Sequence, residues 1–283
     1  MSEEWLDSRD LDLNGGRVWF IAGACDELGR EMVRAALERG DFVVAAGRQP
    51  EVFEDGFSDY THALVTVRMD ADDHQDVHVA VRTAIRCFGH IDILINNAGA
   101  SLIGAIEEAG DLEVRRLFDA NLFGALSVMR EVLPHMRTRR CGHVVTLVAA
   151  QEEPAAGFGL THAARGALIG LSEALMQELK PLGVQVTTID TGLSGGRFGR
   201  AIARQVIADY GVHAGPARLR DETVDQALLA GRVAAVLETV GLPEAPGRLV
   251  LGERAYERAL RRLDSLRAEL SVWRDLSLLN SAA

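Results

Sequence analysis

Aromatic side chains are scarce in this chain, 5% of 283 residues, so stacked rings cannot build its core. Ala, Val, Leu and Ile must fill the interior, in a chain that is 48% hydrophobic and long enough for one large domain. Cysteine is rarer still. Cys25, Cys87 and Cys141 are odd in number and far apart, which suggests a reducing compartment and offers no CxxC metal spacing. No metal site is expected. Positive charge is in deficit, with 30 basic against 41 acidic residues and a net charge of −11. A surface of that sign repels nucleic-acid phosphate and anionic lipid, so neither is expected as a partner. The Arg-rich stretch from Arg137 to Arg140 reads as a solvated helix end. Long apolar runs are also missing: no window reaches a membrane span, and the opening MSEEWLDSRD is acidic. The expected location is the cytoplasm.

What is present alternates between two element types. Arg17 to Gly23 (RVWFIAG) reads as a buried strand, and Met32, Val33, Ala36 and Leu37 have helical spacing. Asp41 to Ala46 and Ala63 to Val67 are the next strands, Asp72 to Phe88 a helix, and Ile91 to Ile95 a fourth strand. A long helix from about Leu112 to Met136 has an interruption near Gly124. Val144 to Val148 is a strand, Leu160 to Leu179 a helix, and Val184 to Ile189 a strand. Short connections between alternating elements imply an α/β fold, a parallel sheet with helices on both faces, with nothing to divide residues 1–283 into separate domains. TGLSGGRFGR opens a glycine-rich region, about 191–219, that suits a flexible flap. Val224 to Val240 is helical and Arg248 to Leu251 a short strand. The C-terminal helix, about 253–273, is charged and amphipathic from Tyr256 to Trp273, and is expected to pack on the domain or a sister subunit.

The first strand runs through AGACDELG (Ala22 to Gly29) into a helix. That context suits a dinucleotide, because the turn presents a helix N-terminus to a pyrophosphate. Gly23, Asp26, Leu28 and Gly29 are therefore assigned to a cofactor. The second strand ends in AAGR without an acidic residue at its tip. Arg48 there could neutralise the extra phosphate of NADP, where Asp or Glu would hold the ribose of NAD. Asp70 could accept a hydrogen bond from adenine, and Asp72 is expected to cap the next helix.

NNAG, Asn96 to Gly99, follows the fourth strand; Asn121 lies within the long helix, and RLVLGERAY precedes a helix containing WRDLS. With this order of elements, the chain resembles the short-chain dehydrogenase/reductase family over nearly its whole length. The resemblance implies a Rossmann-type, doubly wound sheet of seven parallel strands. It also implies a homodimer or homotetramer through the long helices, a small-molecule substrate, and Asn97 and Gly192 near an NADP cofactor. The family motif TGxxxGxG is altered: Ala22 replaces its threonine and Glu27 its middle glycine. The Glu27 carboxylate is expected to weaken or abolish binding, since like charges oppose the pyrophosphate.

The catalytic motif departs further. Laying YxASKxAL on THAARGAL puts Thr161 at the tyrosine and Arg165 at the lysine. The family's serine falls at Val148 or Ala149, and Asn121 alone of the four remains. An aliphatic hydroxyl ionises far above a phenol, and an arginine keeps its proton. Arg165 can still clasp a ribose or a substrate anion. The family's proton relay is absent. Substitutes are His162, which as Thr161's neighbour is expected to look away from the cleft, Glu152 or Glu153 on the expected rim, and Asp190 at a strand tip. Three functions stay open: an atypical NADP-dependent reductase of a small apolar carbonyl compound, in secondary metabolism; a non-redox cyclase, dehydratase or isomerase; and a catalytically silent partner subunit.

Overall fold

The computed structural model describes residues 15–97, 99–148, 155–193, 200–211 and 225–279. Strand β1, Val18–Ala22, is buried at every position, as is β2, Phe42–Gly47. Both faces of these strands are covered, so they read as unbroken apolar runs rather than alternating ones. With β3 (Leu64–Arg68), β4 (Ile93–Asn96), β6 (Gly142–Val148), β7 (Val184–Asp190) and β9 (Arg248–Val250), they form a seven-stranded parallel sheet in the order β3-β2-β1-β4-β6-β7-β9. The chain winds outward from β1 to β3, returns to β4 beside β1, and winds outward the other way. The crevice at the carboxyl ends of β1 and β4 is the topological switch point, where such sheets bind ligands.

Helices cover both faces. Helix α1 (Glu27–Glu38) turns Leu28, Met32, Val33, Ala36 and Leu37 into the core and packs against α6, Gln226–Gly241. Helix α2 (His74–Phe88) packs against α4 (Gly124–Arg139). Asp73, and not Asp72, caps α2, accepting from the Gln75 and Asp76 backbone at 2.8 and 3.4 Å. The cap falls there because Asp73 is the last extended residue before the helix. The core includes Trp19, Phe20, Leu94, Ile95 and Ile189. The Trp19 indole N–H donates to Asp41 at 2.8 Å, which satisfies the one polar atom of that ring.

The long helix is continuous but changes pitch. α3 (Asp111–Phe118) passes through one wider π turn, Asp119–Phe123, into α4. Gly124 ends the wide turn, where a Cβ would lie 2.9 Å from the Ala71 methyl. Glycine thereby lets the helix approach the loop after β3. At the far end Arg139 pairs with Asp92 at 2.8 Å, and Arg140 closes the helix with φ +55°.

Part of the glycine-rich region is ordered into a second, two-stranded parallel sheet. β8 (Arg200–Ile202) pairs with β5 (Ser101–Ile103), directly after NNAG. Helix α5 (Gly159–Leu179) follows β6. Helix α7 (Glu253–Val272) and a final turn α8 (Arg274–Ser277) end the described chain. Of α7 only Ala255 is buried. No helix among the described residues is long and apolar enough to cross a membrane.

Candidate active site

At the switch point the turn after β1 is built for a close approach. Gly23 has φ +79°, and a Cβ on Gly29 would lie 2.7 Å from the Ala24 backbone. Asp26 caps α1, its carboxylate accepting the Gly29 N–H at 2.6 Å. The Asn97 amide, at the end of β4, donates to the Gly23 carbonyl at 3.0 Å and to Asp26 at 2.9 Å. Asn97 thus ties β4 to the phosphate-type turn. Gly29 contributes packing, because its N–H is spent on Asp26. The Leu28 side chain lies in the core. The Glu27 side chain is exposed.

A cleft of about 620 Å³ opens above this turn, lined by Gly23, Asp26, Arg48, Asp70, Asn97 and Ala120 among others. Arg48 stands on its lip, with no carboxylate at the tip of β2. Across it, burial raises the carboxyl pKa of Asp72, helped by the charges of Asp70 and Asp119 and opposed by Arg48. Cys25 also lines the cleft, its thiol pushed up mainly by burial. Both amide atoms of Asn96 and the Asn97 carbonyl oxygen are buried without a hydrogen-bond partner among the described residues.

Thr161 is fully buried, and its hydroxyl accepts from the Leu102 N–H at 3.0 Å and donates to the Leu102 carbonyl at 2.9 Å. It fastens α5 to β5 and does not line either cavity. Arg165 is also buried and donates to the Ser101 hydroxyl at 3.0 Å. Asn121, turned inward by the π turn, clasps Ala100: its amide donates to the Ala100 carbonyl at 3.0 Å and to the Leu117 carbonyl at 2.8 Å. Asp190 accepts the Gly192 N–H at 2.9 Å, and Gly192, at φ +64°, sits beneath the Leu251 carbonyl. That placement gives Gly192 a turn role and keeps it off both cavity walls.

His162 lies off the cleft above the β1 turn. Its ring stacks on Phe158 at 6.4 Å and lines a second cavity, of about 790 Å³, which Asp190 also lines. Positions Ala149, Glu152 and Glu153 lie outside the described residues. Tyr210 lies outside both cavities, its hydroxyl donating to Glu107 at 2.8 Å. That bond, with the Glu107 charge, raises the phenol pKa further. Among the described residues, no group of three or more His, Cys, Asp or Glu could hold a metal ion.

Several site residues carried no recognisable signal in the sequence. Glu108 is buried and accepts the backbone N–H groups of Ala105 at 2.7 Å and Ile207 at 2.9 Å, so it joins the loop after β5 to the segment after β8. Glu113 accepts the Arg204 N–H at 3.3 Å in the same manner. Ser101, the partner of Arg165, is the first residue of a three-residue strand. Arg232 lies against Gly192 and Gly252, within the field of Asp190.

Residues 17–207 match the family model described as "short chain dehydrogenase". The chain is 30% identical over 269 residues to "Oxidoreductase BOA17" of Botryotinia fuckeliana, covering 93% of this chain and 98% of that protein. It is 33% identical over 199 residues to "Dehydrogenase/reductase SDR family member 7B" of Bos taurus, covering 67% of this chain and 61% of that one. Among solved structures, a short-chain dehydrogenase from Streptomyces avermitilis superposes with a TM-score of 0.86 at 30% identity, covering 94% and 99% of the two chains. A short-chain dehydrogenase from Burkholderia cenocepacia in complex with NADP superposes with a TM-score of 0.68 at 25% identity, covering 90% and 96%.

Proposed function

The chain belongs to the short-chain dehydrogenase family, and on that premise we propose that it is a divergent NADP-dependent reductase of an apolar carbonyl compound. One observation carries the reading: at the switch point, Gly23 and Asn97 share a cleft with Arg48, and the tip of β2 has no carboxylate to hold the ribose of NAD. The residues present fit the group. Arg48 would take the additional phosphate, Asp70 the adenine amine, and the turn around Gly23 the pyrophosphate. The NADP complex of the Burkholderia cenocepacia relative supports the same choice.

The cofactor, when bound, supplies a hydride to the carbonyl carbon. The chain's own residues then orient the substrate and provide a proton to its oxygen. Asn121 holds the strand end at Ala100 in place. Thr161 is committed to Leu102 and has no hydrogen to give, so the proton is assigned to His162, which shares the second cavity with Asp190. Bound NADPH should lose its absorbance when a ketone is added, with the alcohol as product. Turnover of an apolar substrate without any nicotinamide cofactor would instead favour a lyase or isomerase, a reading that the commitment of the Thr161 hydroxyl to Leu102 supports.

A further inference from the structure

The second cavity lies between α7 and the outer edge of the sheet. On the α7 side it is lined by Ala255, Ala259 and the exposed Leu260, Leu263 and Leu266; the opposite wall includes Leu249 and Val250 of β9 and Gly159 of α5. About 790 Å³ of apolar-walled space suits a small organic molecule. The charges around it are of one dominant sign. Arg258 and Arg262, four positions apart on one face of α7, and Arg248 on β9 all line it, against Asp190 as the one carboxylate among the described residues that line it.

These cations are unusual in their setting. The chain as a whole carries a net charge of −11, so an arginine cluster on an apolar wall is a local reversal of its field. Arg258 is half-buried, with its Nε buried without a hydrogen-bond partner, and Arg262 is exposed at the rim; neither makes an ion pair among the described residues. A buried guanidinium nitrogen such as the Arg258 Nε is costly unless something satisfies it. A carboxylate does so best, because it accepts two parallel N–H bonds from a guanidinium.

We propose that this cavity binds an amphipathic carboxylate, its acid group held by Arg258 and Arg262 and its apolar body lying along Leu260 and Leu263 toward His162. The assignment rests on the reductase reading and narrows it to carbonyl compounds that carry an acid at a distance from the reacting carbon. His162, at the opposite wall from α7, then meets the carbonyl end, and the arginines fix the register of the chain between them.

The test uses the full chain, with dansylaminoundecanoate as a fluorescent probe and dodecanoate, methyl dodecanoate and dodecyltrimethylammonium as competitors. The expected result is displacement by dodecanoate at concentrations about tenfold or more below those needed for the ester, and none by the cation, since a guanidinium–carboxylate contact is charge-assisted. In the double variant Arg258→Gln/Arg262→Gln, probe affinity should fall about tenfold or more while NADPH affinity and the thermal midpoint hold. Equal competition by acid and ester, or unchanged affinity in the double variant, would overturn the proposal. So would a dimer that protects α7 and excludes the probe. Dodecanoate binding in a protein that fails to bind NADPH would support the pocket and remove the reductase reading, which keeps the two failures distinguishable.

Discussion

Thr161 and Leu102 exchange two hydrogen bonds, at 3.0 and 2.9 Å, inside a site with no solvent exposure. Thr161 is therefore a fastener between α5 and β5. Thr161→Val keeps the shape but leaves the Leu102 N–H and carbonyl buried and unmatched, which should cost about 1–3 kcal/mol in denaturant unfolding. Thr161→Tyr should destabilise more, through overpacking, and give no strong reductase activity on a model ketone. An unfolding midpoint unchanged in Thr161→Val would show that the bonds contribute little.

Replacing His162 addresses the proton. His162→Gln preserves size and some hydrogen bonding but cannot carry a titrating proton. Its kcat should fall about tenfold or more with KM little altered, and the pH dependence of kcat should flatten, as expected for loss of a general acid. A full pH profile that survives the substitution would move the proton source to water or to another group.

The exposed Glu27 replaces the motif's middle glycine beside the pyrophosphate turn. Glu27→Gln should tighten NADPH binding by about two- to fivefold at low salt, and the gain should shrink as salt is added, because exposed charges are screened. No change at low salt would mean that the carboxylate points away from the phosphates.

His143 sets a pH dependence of stability. It is buried in β6, its Nε2 is 2.9 Å from the Thr187 hydroxyl, and burial lowers its pKa from 6.5 to about 4. The unfolded chain therefore binds a proton in a pH window where the folded chain does not, and stability falls as pH drops from 6.5 toward 4. The contribution reaches about 3 kcal/mol at most, from roughly 1.4 kcal/mol for each pKa unit. Denaturant unfolding across that window should show the loss, and His143→Gln should flatten it.

The sheet was legible because its inner strands are short unbroken apolar runs, VWFIA and FVVAAG, and because NNAG marks the end of β4. The β5–β8 pairing was not, since three-residue strands such as Ser101–Ile103 are too short to show a period. The sequence does not show which way Thr161 and His162 face on α5. Neighbouring helix positions diverge by about 100°, so a Thr161 facing the cleft would have sent His162 away. In the structure Thr161 faces β5, and His162 lines the second cavity. The C-terminal helix was legible as amphipathic, but its sequence does not show that Arg258 and Arg262 border an apolar space.

The cofactor cleft carries the functional reading, and one titration tests it most directly. Fluorescence of NADPH and of NADH is followed as each is added to the full chain and to Arg48→Ala. The expected result is saturable NADPH binding that weakens about tenfold or more in the variant, with NADH weak and unaffected, since Arg48 would contact only the extra phosphate. Failure of either nucleotide to bind the unaltered chain, or NADPH affinity indifferent to Arg48, would contradict it.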